Sequence, residues 1–177
     1  PRLDWPNIIQ RHFGQILRHR AEADDLMKRL ESDFEEARPL LKVRLYPTDT
    51  PVDPAITQRP AEGLLAALVY DLPETVMSVS KDRLAAWGKP IDELFKVALA
   101  NVRSEPGFQD ELIEIPGRVS FHVLNGSSFF TATQALLMEQ WLPKPLSEHG
   151  ALVAIPTRNT VLFHPIVDDT VRTAIHA

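Results

Sequence analysis

None of the 177 residues is cysteine. That absence excludes disulfides, a thiolate nucleophile and thiolate metal ligands, and it suits a reducing, cytoplasmic setting. An excess of positive charge is lacking too. Lysine and arginine total 19 against 24 acidic residues, for a formal charge of −5. General nucleic-acid binding draws most of its affinity from neutralised phosphates, so this balance argues against it. Long apolar runs are missing. The longest, Leu64 to Tyr70, is far too short to cross a bilayer as a helix, and no segment reads as a signal peptide. The 7 glycines are scattered and form neither GxGxxG nor a P-loop, so no familiar phosphate cradle is present. The GxSxG elbow is also missing. The histidines, at 12, 19, 122, 149, 164 and 176, contain no HExxH or HxH pair. No cofactor is implied.

What is present suits a folded domain. Apolar residues make up 44% of the chain, and its length is enough to bury a substantial core. The apolar spacing of Ile9, Phe13, Ile16 and Leu17 predicts a helix from Pro6 to about Arg20. Leu26, Leu30, Phe34 and Ala37 predict a second helix from about Glu22 to Ala37, stopped by Pro39. The pair carries opposite charge. Residues 2–20 hold four arginines against Asp4, a net of +3, and residues 22–36 hold seven acids against two bases, a net of −5. Solvated faces explain such runs in most proteins; the sharper reading is a docking surface for a charged partner.

Leu41, Val43 and Leu45 alternate with Lys42 and Arg44, which predicts a strand over Leu40–Tyr46. Pro47, Pro51, Pro54 and Pro60 then suit an extended surface loop. Three hairpins are expected: Leu64–Tyr70 with Thr75–Val79, Glu111–Ile115 with Val119–Leu124, and Ala151–Ile155 with Thr160–Phe163. Between them, Ser80–Trp87 reads as a short helix with Gly88 at its end. Pro90 opens a longer helix whose stripe is Ile91, Leu94, Phe95, Ala98, Leu99 and Val102. A further helix is expected from Phe129 to about Leu142, and a last one from Asp168 to the end. Hairpins separated by helices predict an α+β fold, an antiparallel sheet with helices packed on it. Residues 1–177 read as one domain, with a helical N-terminal segment over 1–38, a strand and Pro-rich loop over 39–63, and a sheet-and-helix core over 64–177.

Four segments carry a resemblance. They are Leu68-Val69-Tyr70-Asp71-Leu72, Asn101-Val102-Arg103-Ser104 ending a helix, Leu124-Asn125-Gly126 entering the next, and Gly150-Ala151-Leu152-Val153-Ala154-Ile155-Pro156. In order and spacing, the stretch over about residues 64–167 resembles the YtpQ-like proteins, a bacterial family of unknown function. Arg44-Leu45-Tyr46-Pro47 is similar to a further short family segment. One departure is Ser127-Ser128-Phe129-Phe130, where the family tends to carry Gly-Tyr-Asp. The resemblance implies a cytoplasmic α+β protein and supplies no catalytic residues.

Few residues invite chemistry. His122 and His164, in neighbouring expected strands, would give two metal ligands facing each other across the sheet without a visible third; half-buried, hydrogen-bonded histidines are the commoner account. Ser127 and Ser128 open an expected helix, where serine ordinarily acts as a cap. Trp5, Trp87 and Trp141 fall near expected helix ends and read as core anchors. Asn101 and Arg103 are the residues singled out for binding. The amide of Asn101, at the border of the apolar stripe, needs partners, and Arg103 in the last turn can reach carbonyls or Glu105. A structural tie holding the loop Ser104–Asp110 to the helix is the reading favoured over ligand binding.

These observations lead to an expected non-catalytic cytoplasmic protein that binds a macromolecular partner, of regulatory or immunity type. The alternative is a hydrolase assembled in three dimensions from Ser127 or Ser128, His122 and an acid such as Asp71. That alternative requires the serine and imidazole to come within hydrogen-bond reach.

Overall fold

The strands divide into two sheets. The computed structural model describes residues 25, 26, 28–30, 32–116 and 119–176. The basic helix expected over Pro6–Arg20, and Trp5 with it, lie outside the described residues. The first sheet is built on β3 (Leu64–Leu72). Antiparallel β1 (Leu41–Pro47) runs along one edge of β3, pairing Leu41 with Tyr70 and Pro47 with Leu64. The other edge is shared end to end by β2 (Thr57–Ala61) and β4 (Thr75–Ser78). The second sheet has the order β5 (Phe108–Ile115), β6 (Val119–Gly126), β8 (Thr160–Pro165), β7 (Ala151–Thr157), all antiparallel. The α+β class and the three hairpins are as expected; the single sheet becomes two.

The strand β2 corrects the proline-rich surface loop. Proline cannot donate to a ladder, so its place in a sheet is an edge or a bulge. Pro60 meets both conditions, since β2 is an edge strand and its register shifts between Gln58 and Ala61.

Helices then cover the sheets. The helical run among residues 25–32 breaks at Asp33, whose extended backbone lets its carboxylate accept from the Glu35 N–H at 2.8 Å. That cap starts the short α1 (Phe34–Ala37), so the helix expected up to Ala37 is interrupted at Asp33; its expected start at Glu22 lies outside the described residues. Helix α2 (Lys81–Trp87) ends where Gly88 takes φ 60°, a conformation that favours glycine. Helix α3 (Ile91–Arg103) buries Leu94, Phe95 and Ala98 in one cluster with Leu41, Val43, Leu68 and Tyr70 of the first sheet. Trp87 joins that cluster edge-on to Phe34 and Tyr70. The last helix, α4, is only Thr170–Ala174. Among the described residues no helix is long and apolar enough to cross a membrane.

The largest local departure is the segment expected as a helix from Phe129. It is a 3-10 stretch, Ala132–Gln140, with a non-helical break at Leu137. Residues 130–134 are all buried, so the first part of the segment has no solvent face of the kind an amphipathic α-helix presents. Tertiary bonds decide its geometry instead. The Thr133 hydroxyl donates to Val43 O at 2.9 Å, the Gln134 amide donates to Val102 O at 3.2 Å, and the Ala132 N–H donates to Arg158 O at 3.0 Å. The buried Gln134 oxygen accepts from Trp141 and Gln140. Phe130 and Leu137 pack with Val69 and Val102 toward the first sheet, while Ala135, Met138 and Trp141 pack on Leu124, Val161 and Phe163 of the second. This segment is the seam between the sheets.

Candidate functional site

Strand β6 ends at Gly126, and the turn that follows is tightly held. The Gly126 N–H donates to Asn159 O at 3.1 Å, and the Asn159 amide donates back to Gly126 O at 2.9 Å. A Cβ at position 126 would stand 2.6 Å from Thr131 Oγ1 and 2.8 Å from the Phe108 ring, so only glycine fits this approach. Ser128 Oγ accepts from the Phe130 N–H at 3.0 Å and donates to the Glu105 carboxylate. Phe129 and Phe130 therefore take opposite fates. Phe130 is buried in the seam, and Phe129 is 44% exposed.

The exposed ring is not bare. The Arg158 guanidinium lies 4.9 Å from its centroid and that of Arg44 lies 5.5 Å away. Arg44 also stands 5.0 Å from the Tyr46 ring. Period-two alternation along β1 places Lys42, Arg44 and Tyr46 on one face. Neither Arg44 nor Arg158 has a carboxylate partner among the described residues; Arg158 reaches only the Asn159 side-chain oxygen, at 3.1 Å. A groove of about 420 Å³ adjoins them. Its walls are Leu45, Tyr46 and Pro47 on one side and Ile155, Pro156 and Arg158 on the other, with Ala132 between.

Lys42, two residues earlier on the same face, is by contrast saturated. Its ammonium meets Asp71 at 2.7 Å and Glu105 at 2.8 Å, and it sits 4.6 Å from the Phe130 ring centroid. Burial alone pushes its pKa down, but the hydrogen bonds it donates to Asp71 and Glu105, with their charges, outweigh that and raise it. The cluster ties β1, β3, the α3–β5 loop and the Ser128 turn together. Its groups satisfy one another, which marks it as structural.

The hydrolase geometry does not assemble. Ser128 caps its own turn and points its proton at Glu105, and Ser127 is exposed. His122 instead bonds Asp110 at 3.0 Å and stacks on Phe163, with ring centroids 4.6 Å apart. Asp71 belongs to Lys42. His122 and His164 do not face each other either. His122 is paired with Phe163, so the next residue, His164, projects from the opposite face of the sheet. There its Nδ1 donates to Ser120 O at 2.8 Å. Among the described residues no group of three or more candidate ligands could hold a metal.

Asn101 is a tie, but not to the loop Ser104–Asp110. Its amide donates to Arg38 O and to Leu41 O, each at 2.8 Å, fastening α3 to the start of β1. Arg103 meets Glu139 on the seam, not Glu105, which is taken by Lys42. That hydrogen bond to Arg103 holds the Glu139 carboxyl below its ordinary pKa. Asn101→Ala is expected to cost about 1–3 kcal/mol in urea unfolding, because two carbonyls lose their donor. Arg103→Lys should leave stability nearly unchanged, since an exposed pair contributes little. A stable Asn101→Ala variant would remove the structural assignment.

No protein-family model, curated protein or solved structure matches the chain. The geometry around Phe129 thus carries the functional reading. Sequence reasoning passed over Arg44, Tyr46, Phe129 and Arg158 as a site. The one available signal was the β1 alternation, which puts cation and aromatic on one face, but residues 44, 129 and 158 meet only after both sheets have formed.

Proposed function

We propose that this is a cytoplasmic, non-catalytic protein that acts by binding a protein partner through the surface around Phe129. One observation carries the reading: a large exposed aromatic ring is flanked by two guanidinium groups that have no carboxylate partner among the described residues. Aromatic and arginine side chains dominate the energetics of protein interfaces, and their cost in conformational entropy is low when they are already held in place. The turn carrying Phe129 is anchored by the bonds from Asn159 and Ser128, so the ring is presented on a fixed support. The resemblance to YtpQ-like proteins adds no activity to this reading.

The test is affinity capture from native extract with the wild-type chain and with Phe129→Ala. A partner enriched by the wild type and reduced about tenfold by the variant, at unchanged melting temperature, is the expected result. Equal capture by both chains would remove the Phe129 surface from consideration.

A further inference from the structure

A sheet edge offers unpaired backbone groups to other chains, and folded proteins ordinarily blunt it. The edges of β1, β2, β4 and β7 are blunted. On β1, Leu41 O is taken by the Asn101 amide, Val43 O by the Thr133 hydroxyl and Pro47 O by the Thr50 N–H. Strand β2 carries Pro60 and a register shift, and β4 is only 4 residues long. Strand β7 carries Pro156 and a shift of its own between Ala154 and Thr157. Strand β5 differs. Its 8 residues hold an unbroken register with β6, from Phe108 opposite Gly126 to Ile115 opposite Val119, and include no proline. Every second residue of such a strand turns its N–H and C=O outward. Strand β6 is its sole neighbour in the sheet, and no other group among the described residues bonds its backbone.

The side chains of β5 select what the edge accepts. Asp110, Leu112 and Glu114 share one face, where Leu112 is 51% exposed. Glu111, Ile113 and Ile115 share the other, where Ile113 stands opposite Phe121. We propose that β5 receives an extended, basic segment of a partner protein as an added strand, its cations against Asp110 and Glu114 and its apolar side chains beside Ile113 and Ile115. Strand addition supplies main-chain hydrogen bonds, and alternate side chains supply specificity. Charge decides the occupant. Opposite charges directly across a strand pair are favourable, and like charges are not. A second copy paired through β5 would set three carboxylates against three, and nucleic acid would bring phosphates to them. Asp110 is shared with His122 at 3.0 Å, whereas Glu114 has no partner among the described residues and so loses none on binding. The inference goes beyond the Phe129 surface and does not depend on it.

The experiment is fluorescence anisotropy with a labelled peptide of alternating lysine and valine, together with amide hydrogen exchange of the full chain. Comparison probes are the glutamine–valine analogue and a backbone N-methylated lysine–valine peptide. The lysine peptide is expected to bind at low salt and to slow exchange across residues 108–115. Its affinity should fall about tenfold at high salt, with the glutamine analogue, and with Asp110→Asn/Glu114→Gln. Asparagine keeps an oxygen for His122, and circular dichroism melting of the double variant separates lost binding from lost folding. N-methylation should weaken binding comparably, because it removes the added strand's donors. Phe129→Ala should leave peptide binding unchanged. Equal binding of the glutamine or N-methylated peptide would overturn the proposal, as would protection confined to other segments or absence of any peptide binding. Self-association of the wild-type chain through residues 108–115 would also overturn it, in favour of a second copy as occupant. If capture from extract depends on Phe129 while no peptide protects β5, this inference falls and the Phe129 reading stands.

Discussion

Phe130→Ala is expected to destabilise the fold by about 3–5 kcal/mol, the largest effect of any substitution considered. The ring is almost fully buried and packs with Val69, Val102 and Leu137, where the seam meets the first sheet. Truncation removes its transfer energy and leaves a cavity that residues from three separate elements would have to fill. It also removes the aromatic face beneath the Lys42 ammonium. Urea unfolding measures the cost directly. The adjacent Phe129→Ala is an internal control, because an exposed ring should change stability by less than about 1 kcal/mol. Similar losses at both positions would contradict the assignment of one ring to packing and the other to recognition.

Lys42→Met comes second, with an expected loss of about 2–4 kcal/mol. Removing one partner from a fully buried ion pair costs more, but Asp71 retains 34% side-chain exposure and solvent screens part of the change. The Glu105 and Lys42 side chains are only 15% and 13% exposed, so the Glu105 charge, left with the Ser128 hydroxyl but no cation, accounts for most of the cost. The pH dependence has a definite sign. The folded-state pKa of Lys42 is raised, so its contribution is fully present below the unfolded lysine value, near 10.5, and is lost as pH rises through the folded one. The difference in unfolding free energy between wild type and Lys42→Met should be flat at neutral pH and shrink in strongly alkaline solution. A difference that grew with alkalinity would contradict the network.

Local patterns in the chain were sufficient for many of its regular elements. Apolar alternation in Leu41–Leu45 and the stripe from Ile91 to Val102 determined β1 and α3, because each element buries one face and its period marks that face. Gly88 ended α2 for the same kind of local reason, a backbone angle that other residues seldom adopt. The half-buried amide of Asn101 was legible as needing partners, though not which ones. Tertiary structure alone decided the rest. The seam from Ala132 to Gln140 became 3-10 because bonds to Val43, Val102 and Arg158 lie on several sides of it, and no periodicity within the segment encodes them. Pro60 entered a strand because β3 offered an edge with room for a bulge. The site is the extreme case. Arg44, Phe129 and Arg158 come from widely separated parts of the chain, and their charge and aromatic chemistry meet only where the two sheets close on the seam.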